Sequence, residues 1–148
     1  MGKAKEPQSP VQQSVHVDCP IEEAFRLFTE RFAEWWPLSR CSVTGEDAET
    51  CAIEPWEGGR VFERTRSGEE SEWGSVTLWD PPNRVEFTWH PGEHAYALQT
   101  VAVEFQREAE GTRVTLTHAG WQEAGVAVSM AGAAQFAKFV SQQMLVAA

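Results

Sequence analysis

The sequence predicts one α+β domain, in which a curved antiparallel sheet of six to seven strands wraps around a long C-terminal helix, with two short helices after the first strand. Three observations lead to this prediction. Between about residues 50 and 118, short segments of alternating apolar and polar residues follow one another, separated by turn signals, which is typical of a meandering antiparallel sheet. An aromatic-rich helical pattern separates the first strand from these segments. Near the C-terminus, apolar residues recur every three or four positions without proline, as on an amphipathic helix.

Length and composition exclude several classes of protein. The 148 residues suffice for one domain, and we predict a disordered leader over residues 1–10 and a single domain over residues 11–148. Twelve basic and 22 acidic residues give a net charge of −10 without a Lys/Arg block, which disfavours nucleic acid as a partner. No segment approaches the roughly 20 apolar residues of a membrane span, and a signal-peptide core is missing. We therefore expect a cytoplasmic protein with no membrane span.

The first strand and the helical pair are predicted from residues 11–37. Apolar residues at odd positions from Val11 to Val17 indicate a strand with one apolar face. A capping Asp18 or Cys19, followed by Pro20 and two carboxylates, predicts the start of a helix. The aromatic residues that follow do not all fall on one face of a single straight helix. The helix is therefore expected to break near Thr29 or Glu30 and to end at Pro37.

Six further strands and a long helix are predicted from the rest of the chain. Glycine, proline and asparagine mark the turns between the strands. The expected strand ranges are residues 50–56, 60–66, 70–79, 85–90, 98–108 and 112–118. The long helix is expected over residues 121–146. Gly125 and Gly132 each weaken a helix by about 1 kcal/mol relative to alanine, so the alternatives for its first third are a loop or a separate turn.

Four segments resemble a known superfamily. They are residues 11–24 (VQQSVHVDCPIEEA), 57–64 (EGGRVFER), 73–85 (WGSVTLWDPPNRV) and 112–121 (TRVTLTHAGW). They resemble the helix-grip domains of the START-related, SRPBCC superfamily, most closely the branch of homologues of the heat-shock-protein-90 ATPase activator. The resemblance implies a helix-grip fold with a ligand cavity. The last helix departs from the family pattern, because residues 135–140 lack the usual Gly-Trp pair and Leu-rich stretch, which implies an altered cavity wall.

Aromatic residues are the candidates for ligand contact. The chain has seven tryptophans and eight phenylalanines, and rings on the inner face of a curved sheet would line a space beneath the helix. Trp35 and Trp36 are expected to close one end of that space, either as packed lid residues or as ring contacts to a ligand. The predicted ligand-binding residues are Trp35, Trp36, Phe62, Arg64, Trp73, Phe87, Trp89, Phe136 and Val140.

Arg64 has two alternatives. By alternation it shares a face with Phe62. If that face were the inner one, the buried guanidinium would need a partner or an anionic ligand. The other alternative is a surface ion pair across the strand ladder, with Glu72 as a partner.

The sequence selects no catalytic, metal or cofactor site. His90 and His94 are separated by proline and glycine, so we interpret this segment as a solvated loop rather than a metal site. His118 is interpreted as structural, and Cys51 as a small buried hydrophobe. Cys19, Cys41 and Cys51 lack a CxxC pattern, which favours a reducing compartment. Glu54 and Glu63 could serve as acid or base if buried, although no motif selects them. No cofactor is predicted.

Three functions follow as hypotheses. The first is binding or sequestration of a small, largely apolar ligand between the sheet and the C-terminal helix. The second, implied by the resemblance, is a regulatory interaction with a protein partner such as a chaperone in a stress response. The third is an enzyme that acts on a hydrophobic substrate in the same cavity. The protein is expected as a monomer or homodimer.

Overall fold

The described part of the chain contains seven strands, three α-helices and one short 3-10 helix at Gly45–Asp47. The computed structural model describes residues 11–36, 44–89, 99–119 and 128–147, and within the last helix it describes the side chains of residues 134–143. The strands are β1 (Val11–Val17), β2 (Ala48–Ile53), β3 (Arg60–Thr65), β4 (Glu70–Asp80), β5 (Arg84–Thr88), β6 (Thr100–Glu108) and β7 (Gly111–Ala119). The helices are α1 (Ile21–Glu30), α2 (Phe32–Trp35) and α3 (Val128–Ala147). The predicted leader, residues 1–10, lies outside the described residues.

All strand pairs are antiparallel, and they form one curled sheet in the order β1-β7-β6-β5-β4-β3-β2. The first strand therefore pairs with the last, and β2 forms the opposite edge. Below, the inner face is the face of the sheet that packs against the helices. α3 packs mainly on β1 and β7, whereas α1 and α2 pack on β2 and β6. The predicted α+β helix-grip fold is confirmed.

The break in the helical pair occurs where the aromatic pattern predicts it. α1 ends at Glu30, and Arg31 leaves helical geometry with φ −109° and ψ 30° before α2 begins. In the last turn, the Thr29 hydroxyl donates to the Phe25 carbonyl oxygen at 2.9 Å, a contact that often bends helices. The result is a short α2 that carries Trp35 towards the sheet.

The predicted helix cap is wrong. Pro20 occupies the cap position, and no side chain caps the helix. The Asp18 carboxylate instead contacts His16 Nε2 at 3.0 Å, and Cys19 is buried. Asp18 is therefore engaged with the preceding strand and does not reach the helix N-terminus.

The predicted second strand runs too far. β2 ends at Ile53, whereas the alternation suggested that it continues to Trp56. Pro55 lacks a backbone N–H for the ladder, and Trp56 lies in the following turn with 53% of its surface exposed. Trp56 is thus a large apolar side chain outside the core.

Candidate functional site

Eleven aromatic rings on the inner face and its helices form one connected set, which we call the ring cluster. Neighbouring ring centroids lie 4.7 to 6.5 Å apart, mostly in tilted or edge-to-face arrangements. Its members are Phe25, Phe28, Phe32, Trp35, Trp36, Trp73, Trp79, Phe87, Trp89, Phe105 and Phe136. The cluster joins α1, α2 and α3 to the strands β4, β5 and β6.

The predicted lid residues belong to this cluster. Trp36 lies 5.8 Å from Trp73 and 5.7 Å from Trp89, measured between ring centroids. Trp35 packs 5.3 Å from Phe136 of α3, and its indole Nε1 donates to the Phe28 carbonyl oxygen at 3.3 Å. Both residues are therefore held between the helices and the sheet.

The remaining predicted residues of the inner face are also buried together. Phe87 contacts Trp89 at 6.1 Å between centroids. Phe136 and Val140 lie on the side of α3 that faces the core, with 0% and 1% of their surface exposed. The structure thus brings together Trp35, Trp36, Trp73, Phe87, Trp89, Phe136 and Val140.

Phe62 and Arg64 lie on the other face of the sheet. The guanidinium of Arg60 lies 4.2 Å above the Phe62 ring, and that of Arg64 lies 5.6 Å from it. Arg64 also donates to Glu70 at 2.8 Å. Of the two alternatives for Arg64, the structure therefore shows the surface ion pair, with Glu70 as the partner instead of Glu72. Phe62, which was expected among the ligand-binding residues, shares this outer face with Arg64, as the alternation predicts, and the two guanidinium groups cover its ring.

Glu63 is the charged residue that β3 directs inward. It has no exposed surface, and its Oε1 accepts a hydrogen bond from Trp73 Nε1 at 2.6 Å. Its Oε2 accepts from the backbone N–H of Thr44 at 2.9 Å and from the Thr44 hydroxyl at 2.5 Å. These hydrogen bonds offset the large cost of burying a carboxylate. Glu63 thereby fixes the orientation of one indole ring in the cluster.

A second polar group lies at the same end of the sheet. His118, with 2% of its surface exposed, contacts the Gln99 side-chain oxygen through Nε2 at 2.8 Å. The Trp89 N–H donates to the Gln99 carbonyl oxygen at 2.9 Å, so Gln99 and Trp89 are opposite each other and share the inner face. We call Gln99 and His118 the amide–imidazole pair. Burial lowers the pKa of His118, which favours a neutral imidazole.

These polar groups span five strands. Glu63 lies on β3, Trp73 on β4, Trp89 directly after β5, Gln99 directly before β6 and His118 on β7. Sequence reasoning did not identify Gln99 or Thr44, and it did not select Glu63. Glu63 shares a face of β3 with Val61 and Thr65, and this shared face was the sequence signal that Glu63 is buried. Gln99 precedes its strand, so no alternating pattern includes it.

The described residues include no reactive cysteine thiolate and no group of side chains that could bind a metal ion. Burial raises the pKa of the Cys19 thiol to about 11 and that of Cys51 to about 12, so neither is a thiolate at neutral pH. No group of three or more His, Cys, Asp or Glu side chains in the described ranges could hold a metal ion. His90 and His94 lie outside those ranges. Glu54 is partly exposed and bound to Arg60 at 3.2 Å.

Three surface pockets bordered by described residues lie outside the ring cluster or at its margin. One of about 340 Å³ lies between Thr44 and the β3–β4 turn. Another of about 200 Å³ separates α2 from α3 beside Trp35, and an apolar one of about 180 Å³ lies between α1 and β2. No described helix is long and apolar enough to cross a membrane.

Comparison with known proteins identifies relatives. The sequence model of the family described as "Activator of Hsp90 ATPase homolog 1-like protein" matches residues 18–142. A search of curated proteins finds no match.

Solved structures share the fold. An anthrahydroquino-γ-pyrone synthase, Txn09, is 30% identical, with 89% of this chain and 97% of that chain covered and a TM-score of 0.60. Protein MLL2253 from Mesorhizobium loti is 17% identical, with coverages of 92% and 96% and a TM-score of 0.62. The Aha1 dimer from Colwellia psychrerythraea is 14% identical, with coverages of 93% and 93% and a TM-score of 0.58.

Proposed function

We propose that this chain, which belongs to the family of Activator of Hsp90 ATPase homolog 1-like proteins, binds a small, largely apolar ligand against the ring cluster. The ligand contacts Trp89 and its neighbours between the inner face of the sheet and the helices. The observation that carries this proposal is the joining of buried indole rings with polar side chains at one end of the sheet. Binding sites for small molecules combine apolar and aromatic surfaces with a few polar groups in this way.

The exposure of the side chains supports the Trp89 end as the point of contact. Trp73 has no exposed surface, Trp89 has 8%, and Gln99 beside it is half-buried. A ligand there gains contact with the indole face and remains close to solvent. We include Trp36 in the contact because its ring packs on both Trp73 and Trp89.

A second candidate function is catalysis on such a ligand. It is favoured by the relative that is 30% identical and is described as an anthrahydroquino-γ-pyrone synthase. Among the described residues, Glu63 and His118 are the buried carboxyl and imidazole groups of the inner face and would be the candidates for proton transfer. The test is turnover of an anthrahydroquinone substrate and its loss in Glu63→Gln or His118→Gln.

Regulation of a chaperone is a third candidate function. The family name and the Aha1 dimer among the similar structures favour it. Co-purification with an Hsp90-type chaperone and a change in that chaperone's ATPase rate would support it. The buried, free thiols of Cys19 and Cys51 are consistent with the cytoplasm, where we expect the protein to act.

The binding proposal is tested with Nile red, a neutral apolar fluorophore. We expect saturable binding to the wild-type protein and a clear loss of affinity in Trp89→Leu. Trp56→Leu is the matched control, because Trp56 is exposed and lies outside the ring cluster, and it should bind as the wild type does. Equal affinity in Trp89→Leu, or no saturable binding by the wild type, would contradict the proposal.

A further inference from the structure

The side-chain amide of Gln99 is oriented by its neighbour on the next strand. His118 is opposite Val101 in the β6–β7 ladder, so Gln99, two residues earlier, is its diagonal neighbour and within reach. Burial lowers the pKa of His118, and a neutral imidazole that donates from Nε2 uses the Gln99 oxygen as its acceptor at 2.8 Å. The amide nitrogen of Gln99 then lies on the other side of the amide group.

That nitrogen has unused donor capacity within the described part of the protein. A glutamine amide carries two N–H donors, and the side-chain contact of Gln99 among the described residues is the one through its oxygen. Gln99 is half-buried beside Trp89 on the inner face. The amide therefore presents its donors on the inner face, at the ladder position opposite Trp89.

The charges of the inner face determine which acceptors are suitable. The buried polar side chains in the described ranges are Thr29, Glu63, Thr65, Thr112 and His118. Glu63 carries the one carboxyl group among them, and no described lysine or arginine is buried. A carboxylate or phosphate brought to this face would lose its hydration and would gain no buried lysine or arginine partner from the described residues.

We propose that Gln99 determines ligand specificity, and that it donates a hydrogen bond to a neutral carbonyl or hydroxyl oxygen on a flat aromatic ligand that lies against Trp89. This inference rests on the proposed ligand-binding function and names its substrate class. His118 acts as a positioning residue, because its hydrogen bond holds the amide oxygen and turns the N–H groups towards the ligand. We expect anionic amphiphiles such as fatty acids to bind more weakly than neutral ligands.

Three naphthalene probes of similar size test the inference by equilibrium dialysis. They are 2-acetylnaphthalene, which carries a neutral carbonyl, 2-ethylnaphthalene, which lacks it, and 2-naphthoate, which is an anion. A net hydrogen bond contributes about 0.5 to 1.5 kcal/mol, so the wild type should prefer the acetyl compound over the ethyl compound by about 2- to 10-fold. We expect 2-naphthoate to bind most weakly.

Two variants of Gln99 separate its role from folding. Gln99→Glu keeps an oxygen that can accept from His118 but lacks the amide donors, and Gln99→Leu lacks both. Each should lose the preference for the acetyl compound and retain binding of 2-ethylnaphthalene. Gln106→Leu, an exposed position on β6, is the matched control and should keep the preference.

The outcomes distinguish the two proposals. Equal binding of the acetyl and ethyl compounds by the wild type, a preference that persists in Gln99→Glu, or tight binding of 2-naphthoate would overturn the inference and leave ligand binding intact. Absence of saturable binding for all three probes would overturn the proposed function together with the inference.

Discussion

At the scale of single residues, Glu63 shows how a buried charge is accommodated. Its two carboxylate oxygens accept from the Trp73 indole and from the backbone and hydroxyl of Thr44. Hydrogen bonds to a charged group are stronger than neutral ones, and removal of the acceptor leaves buried donors unsatisfied. The carboxylate therefore links β3 to β4 and to the segment that precedes β2.

We predict that Glu63→Gln destabilises the fold by about 1 to 3 kcal/mol. The amide keeps the shape of the side chain, but its NH₂ group faces donors where the carboxylate offered an acceptor. Urea denaturation followed by tryptophan fluorescence measures the change. Glu57→Gln, an exposed position in the β2–β3 turn, is the control and should stay within about 0.5 kcal/mol. Equal stability of the two variants would show that the hydrogen bonds of Glu63 contribute nothing.

His16 is a second titratable residue with a defined geometry. Its Nδ1 contacts Glu108 at 2.5 Å and its Nε2 contacts Asp18 at 3.0 Å. The hydrogen bond with Glu108 is the largest cause that raises the pKa of His16 above 6.5, and Asp18 adds to it. The imidazolium thus links β1 to the end of β6.

The pH dependence follows from the direction of that shift. Because the folded state binds the proton more tightly, the contribution of His16 is complete below about pH 6.5 and is lost as the pH rises through its raised pKa. We expect the difference in stability between the wild type and His16→Gln to be largest near pH 6 and to shrink above it. Urea midpoints at a series of pH values measure it, and a difference that stays constant with pH would contradict the assignment.

For the residues of β3, the sequence predicts which side chains share a face, but it does not predict which face packs against the helices. Phe62 and Glu63 are adjacent, and hydrophobicity alone selects Phe62 for the interior. The arginines at positions 60 and 64 cover Phe62 on the outside, and tertiary hydrogen bonds to Thr44 and Trp73 make burial of Glu63 tolerable. Neither effect is present in the local pattern.

At the scale of elements, backbone proximity at β4 and β5 determines where the tryptophans meet. A Cβ placed on Gly74 would lie 1.7 Å from the Thr88 carbonyl oxygen, and the Ser75 N–H donates to the Thr88 hydroxyl at 2.9 Å. Irregular register on both sides of this point, at Val61/Phe62 and at Val76/Leu78, accompanies the close approach. Trp73 and Trp89 flank it with their centroids 5.6 Å apart.

We predict that Gly74→Ala destabilises the sheet by about 1 to 3 kcal/mol, the usual range for overpacking, because the added methyl group meets backbone atoms that cannot turn away. Thr77→Ala, on an exposed position of the same strand, should change stability by about 0.5 kcal/mol or less. Thermal unfolding of both variants provides the measurement. A stable Gly74→Ala protein would mean that β4 and β5 separate there without loss.

The elements themselves follow from local chemistry more readily than their ends do. The break after Glu30 and the succession of strands along the chain can be predicted from the aromatic crowding and from the turn residues. The helix cap and the end of β2 are not, because Asp18 has a competing partner in His16 and Pro55 ends the ladder regardless of the apolar Trp56. The bulges in β4 have no sequence signal beyond Gly74 itself.

At the scale of the whole molecule, the ring cluster makes the helices and the sheet one unit. Phe28 of α1 contacts Phe32 and Trp35 of α2, Phe105 of β6 and Phe136 of α3, with centroids 4.7 to 6.5 Å apart. Sequence reasoning predicted the fold and the accumulation of rings on the inner face. It did not predict the polar groups at one end, since these depend on neighbours from strands that are distant in the chain.

The central position of Phe28 leads to the last prediction. Phe28→Ala removes a ring that has 2% of its surface exposed, and it should destabilise the protein by about 3 to 5 kcal/mol. For a domain of this size, that loss lowers the melting temperature by about 6 to 20 °C. Phe28→Leu, which conserves more volume, should cost about 1.5 kcal/mol or less, and Trp56→Ala should cost about 0.5 kcal/mol or less because Trp56 lies outside the cluster.

Since the Phe28 ring connects the three α-helices to the sheet, far-UV circular dichroism and tryptophan fluorescence should report the same unfolding midpoint in each variant. If the two signals separate in Phe28→Ala while they coincide in Trp56→Ala, the helices and the sheet unfold independently, and the cluster does not unite them.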